Sequence, residues 1–128
     1  MSSTVLWSNP SPNQESDYRS GTEGGVSVLY LSQSIDNFQF IRIRFRPQLS
    51  GTFYNDAYIG DVYMPVSQFK LSLNTADSSG YYTPMVWFGI LSSNDITCLK
   101  YKTGTTLEVR GNMVRYGAIL NVYGCNFN

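Results

Sequence analysis

From Ile41 to Arg46 the segment FQFIRIRFR (residues 38–46) alternates apolar and charged side chains without a break. This two-residue period belongs to a strand with one dry face and one wet face, and no helix can satisfy it. Ile41, Ile43 and Phe45 fall on the expected core side, and Arg42, Arg44 and Arg46 on the other. No long window elsewhere repeats apolar residues at helical spacing. Instead Gly, Ser, Asn and Thr interrupt the chain at short intervals, the pattern of short strands joined by turns.

The expected strands are VLWS (5–8), VSVLYLS (26–32), FQFIRIRFR (38–46), one or two within TFYNDAYIGDVYMPV (52–66), FKLSLNT (69–75), YYTPMVWFGILSS (81–93), DITCLKYKTG (95–104), TTLEVRG (105–111) and GAILNVYGCNF (117–127). Phe69, Leu71 and Leu73 share one side of FKLSLNT, and Lys70, Ser72 and Asn74 the other. The polar, Pro- and Gly-rich residues 9–25 read as a long loop, and SIDN (34–37) as a turn. In the last segment Ile119, Tyr123 and Cys125 alternate with Leu120 and Val122, so both faces are expected to be semi-buried, as in a central strand or an oligomer contact. The fold class is therefore all-β: a single domain over 1–128, an antiparallel β-sandwich of jelly-roll type with about eight or nine strands.

Composition narrows the function. The 128 residues carry 9 basic and 9 acidic groups. A neutral chain with few cations lacks the phosphate-neutralising charge of a nucleic-acid binder. Residues 1–95 hold five basic and eight acidic groups, a net of −3, and residues 96–128 hold four and one, a net of +3. No apolar run is long enough for a transmembrane helix, and the opening MSSTVLWSNP has no signal-peptide pattern, so synthesis and folding in a cytoplasm are expected. With no histidine, Ser–His–Asp, Cys–His and most zinc chemistry are absent. Asp56, Asp61 and Glu108 do not stand out as a glycosidase carboxylate pair. Asp56, Asp61 and Asp95 beside Asn55 and Asn94 lack an EF-hand spacing. The reading is a non-enzyme without metal or cofactor. Cys98 and Cys125 are expected as small buried residues, with a bridge between them left open.

Two features suit binding. The arginine stripe admits three readings: a solvated face whose stems cover apolar surface, a subunit interface where guanidiniums meet carboxylates, or a site for an anionic ligand such as an acidic or sulfated glycan. Asp36, Asp56, Asp61 and Glu108 are the candidate acidic partners. Aromatic residues also cluster, at Phe53, Tyr54, Tyr58 and Tyr63 and at Tyr81, Tyr82, Trp87 and Phe88. Tyr54, Tyr58, Tyr81 and Tyr82 flank turns and are the expected exposed ligand contacts.

TVLWS near the start, VSVLYLSQSIDNFQFIRIRF after the polar loop, and the closing YGAILNVYGCNFN together resemble a domain of tailed-bacteriophage tail-fibre and baseplate-associated proteins. That resemblance covers the first 45 residues and the last dozen. It implies a β-sandwich on the outside of a virion, a homotrimer, contact with other virion proteins, and adhesion to a host-surface carbohydrate or protein. A small capsid decoration or tail connector is the structural alternative, and a polysaccharide-acting enzyme a remote one.

Overall fold

The structure, a computed structural model, describes residues 1–12, 18–45, 48–49, 53–54, 59–71, 86–89, 96–111 and 119–127, with the backbone alone at 48–49, 53–54, 86–89, 96–98 and 110–111. Eleven strands lie in these residues: β1 (Ser2–Ser8), β2 (Gly21–Glu23), β3 (Val26–Tyr30), β4 (Phe40–Phe45), β5 (Gln48–Leu49), β6 (Phe53–Tyr54), β7 (Gly60–Pro65), β8 (Val86–Gly89), β9 (Ile96–Thr103), β10 (Thr106–Gly111) and β11 (Ile119–Asn126). A four-stranded sheet in the order β1-β11-β4-β7 packs against a five-stranded sheet in the order β2-β3-β10-β9-β8, and β5 and β6 pair separately. All pairings are antiparallel. The protein is thus the all-β sandwich that the alternation implies. The late strands β11 and β10 are inserted beside the early strands β1, β4 and β3.

The dry layer between the sheets is built by period-two placement. Ile41 and Ile43 from β4 and Val122 from β11 meet Leu29 from β3, Leu99 and Tyr101 from β9, and Leu107 and Val109 from β10. Burying each such Leu or Ile contributes about 1.5–3 kcal/mol against the chain entropy lost on folding. Two bulges break the period. Between Val5 and Trp7 the register of β1 on β11 slips, so adjacent Leu6 and Trp7 are both buried. Between Ile119 and Asn121 β11 slips on β4, and adjacent Ile119 and Leu120 are both buried. An extra residue on one strand lets neighbours point the same way. As expected of a central strand, β11 lies between β1 and β4.

Two local expectations are corrected. The end of the polar loop is a hairpin, β2 with β3, because Gly24 and Gly25 supply φ of 60° and 79° for its tight turn. The start of FKLSLNT is not a strand: after Pro65 comes a short helix, α1 (Val66–Phe69). Val66 and Phe69, three apart, are both buried, whereas Leu71 is 62% exposed, so helical and not alternating placement governs 66–71. Residues 72–75 lie outside the described set. Before β4, SIDN forms a 3₁₀ turn (Ile35–Asn37) capped by the Ser34 hydroxyl, which accepts from the Asp36 N–H at 3.1 Å.

A candidate binding face on the four-stranded sheet

β4 runs between β11 and β7 and presents Arg42 and Arg44 outward while Ile41 and Ile43 are fully buried. The cross-strand register sets Asp61 of β7 opposite Arg44 and Tyr63 opposite Arg42, and Tyr123 of β11 on the other flank of Arg42. Both guanidiniums grip the same carboxylate. Arg42 Nε and Nη2 donate to Asp61 Oδ1 and Oδ2 at 3.1 and 3.4 Å, and Arg44 Nε and Nη2 do so at 3.3 and 3.4 Å. These are fork-to-carboxylate contacts, the geometry that favours arginine over lysine. The Arg42 guanidinium also lies over the Tyr123 ring, 4.4 Å from its centroid, and 5.9 Å from that of Tyr63.

Electrostatics follow from this geometry. Burial is the largest single influence on Asp61 and works against its charge, but hydrogen bonds and charge from Arg42 and Arg44 outweigh it and hold the carboxyl below the usual carboxylate range. The Asp61 hydrogen bond pushes Arg42 up in turn. Two cations share one anion, so the cluster keeps a surplus positive charge.

Apolar surface flanks the cluster. Tyr63, Val5 and Phe127 are 51, 50 and 60% exposed, and Phe127 meets Phe40 edge-on with centroids 5.1 Å apart. The closing strand is tied to the residue before β4: the Gln39 N–H donates to the Cys125 carbonyl at 3.0 Å, and the Phe127 N–H donates to Gln39 Oε1 at 2.6 Å. Gly124 makes that approach feasible, since a Cβ there would collide with the Phe38 ring. Cys125 is a buried free thiol beside the Ser3 hydroxyl, 3.3 Å away.

Near one end of this sheet lies an open depression of about 400 Å³ lined by Asp36, Phe38, Gln39, Val66, Ser67 and Lys70. Lys70 Nζ meets Asp36 Oδ1 at 3.1 Å, and the Tyr101 hydroxyl donates to Asp36 Oδ2 at 3.2 Å. Burial, then the Asp36 charge, push the Tyr101 hydroxyl up, and the Asp36 hydrogen bond pushes Lys70 up. These three side chains fasten the 3₁₀ turn to α1 and β9.

The arginine stripe is thus resolved for two of its members, which pair within their own chain; Arg46 lies outside the described residues. Of the four candidate acids, Asp61 is their partner. Asp36 pairs with Lys70, Glu108 with Lys100 at 3.7 Å, and Asp56 lies outside the described residues. Tyr58, Tyr81 and Tyr82, expected as ligand contacts, also lie outside them, as does the side chain of Tyr54. Tyr63 and Tyr123 are the aromatic residues gathered here. Their signal was available in DVYMP, where Asp61 and Tyr63 share parity, and in NVYGC, where Tyr123 alternates with Val122. Among the described residues no three His, Cys, Asp or Glu side chains form a metal-ligating group, and no helix is long and apolar enough to cross a membrane. Comparison with protein-family models and with curated proteins finds no match to the chain.

Proposed function

We propose that the chain is a non-enzymatic bacteriophage virion protein of the tail-fibre or receptor-binding kind, which adheres as an oligomer to a host-surface glycan or protein through the outer face of its four-stranded sheet. The resemblance at both ends of the chain supplies the class, and the geometry supplies the surface. One observation carries the choice of surface: Arg42, Arg44 and Asp61 are already paired and flanked by Tyr63 and Tyr123 on a face with exposed apolar side chains. Each of the three charged groups already has a partner, so a covering surface need supply only one negative charge to avoid a costly uncompensated burial. Tyrosine and arginine are also the residues that dominate contact energy in such surfaces. The surplus positive charge suits a partner bearing a carboxylate or sulfate. Several copies on one particle multiply a weak single-site affinity.

Purified protein applied to host cells and to a glycan array tests this reading. Binding by the wild-type oligomer that is lost in Arg42→Ser and Tyr63→Ser is the expected result. Binding that both variants retain, or no binding by the oligomer, contradicts it.

The structural alternative, a capsid decoration or tail connector, draws on the same face, because a flat strand surface with exposed Val5 and Phe127 fits a protein neighbour. Under that reading Arg42→Glu with Arg44→Glu abolishes particle assembly, and normal assembly removes it. Catalysis has less support: Asp36, Asp61 and Glu108 each face a cation.

A further inference from the structure

Among the described residues the two main sheets end on four edge strands, β1 and β7 in one and β2 and β8 in the other. Open edges invite pairing with other chains and are usually blunted by charge, proline or brevity. β7 carries Asp61 and Pro65. β2 is three residues long and contains Glu23, and β8 is four residues long. β1 has none of these protections: its seven residues, SSTVLWS, include no charge and no proline. One side of β1 pairs with β11. On the other, Ser32 closes the far half, its N–H donating to the Leu6 carbonyl at 2.8 Å and its hydroxyl to the Val5 carbonyl at 3.4 Å. Ser2, Ser3, Thr4 and Val5 are exposed, and among the described residues no strand pairs with them on that side.

We infer that Ser2–Thr4 is a self-pairing edge, to which a second copy of this chain adds the same segment antiparallel across a two-fold axis. Charge identifies the occupant. A strand that pairs with its own copy sets each residue opposite or diagonal to itself, so any charge in it is repelled by its own image. β1 and β8 are the two edges whose composition avoids that conflict, and β1 is the longer, seven residues against four; its Thr4 and Val5 have the β-branched shape that a pleated pair accepts. An axis perpendicular to the sheet keeps the outer faces on one side. The product is a continuous eight-stranded sheet that carries two copies of the Arg42–Asp61–Arg44 cluster, and the exposed Val5 side chains are drawn towards the seam. This pairing gives two-fold order, in place of the trimer implied by the resemblance. It rests on the edge alone, so it stands or falls separately from host binding.

The test is sedimentation velocity on the full chain across a concentration series, for wild type, Thr4→Lys and Thr4→Glu, and for an equimolar mixture of the two variants. Thr4 is exposed, so both variants fold, and circular dichroism matching wild type checks this. Every register within the free segment holds the two Thr4 side chains within about 8 Å. The expected result is a wild-type monomer–dimer equilibrium, several-fold weaker self-association in each variant alone, and recovery in the mixture. A wild type that stays monomeric throughout, or a dimer or trimer unaffected by both variants, overturns the inference.

Discussion

Two charge clusters on opposite sheets show how little a charge pattern says about its surroundings. Arg42, Arg44 and Asp61 lie on the outer face of the four-stranded sheet, with side chains 17, 39 and 24% exposed. Lys100 and Glu108 alternate with the core residues Leu99, Tyr101, Leu107 and Val109, so they too point away from the core, yet their side chains are only 9 and 6% exposed. Parity assigns a face; it does not decide whether water reaches it. The first group is available to a partner and contributes little to folding, since half-exposed pairs are screened and hold long side chains in place at an entropic cost. The second is committed to the fold, because a buried charge that loses its neutralising neighbour there has no water to replace it.

The comparison is broken most severely by removing one of the two buried opposite charges. Lys100→Met alone should lower unfolding free energy by about 3–5 kcal/mol, whereas Lys100→Met with Glu108→Leu should recover most of it, as read by urea denaturation. Gly124→Ala is next: its methyl group meets the Phe38 ring behind the exposed face and should cost about 1–3 kcal/mol by the same measurement. Asp61→Asn should cost about 1 kcal/mol or less, which separates the exposed cluster from the buried pair. pH sharpens the contrast further. The folded Asp61 carboxyl lies below its unfolded value, so its contribution is fully present above the ordinary carboxylate range and is lost as pH falls through the folded value. An acid-limb stability profile that is shallower in Asp61→Asn than in wild type is the expected signature. Arg42→Lys, which keeps the charge but loses the fork and the broad stack on Tyr123, should have the smallest effect, a few tenths of a kcal/mol.

The alternation of Ile41, Arg42, Ile43 and Arg44 was legible without coordinates because period two maps directly onto faces, and the sandwich followed from many such segments. What alternation cannot encode is a change of phase. The bulges at Leu6 and Leu120 depend on how one strand sits against another, and the turn at Val66–Phe69 replaces alternation by helical spacing within a few residues. The candidate face was half legible. Arg42 and Arg44 stood out by their spacing, and Asp61 was one of four acids that the residues alone could not separate. Only the register of β7 on β4 puts it across from Arg44, and only the order β11-β4-β7 puts Tyr123 and Tyr63 on either flank of Arg42.

The outer face of the four-stranded sheet is the proposed working surface of this protein. Oxidative footprinting of the chain free and bound to a bacterial surface or particle measures this directly. Tyr30, 44% exposed on the five-stranded sheet, serves as the internal reference. The account predicts that Tyr63, Tyr123 and Phe127 become protected on binding while Tyr30 keeps its reactivity. Protection of Tyr30 with Tyr63 and Phe127 as reactive as in the free chain would contradict it.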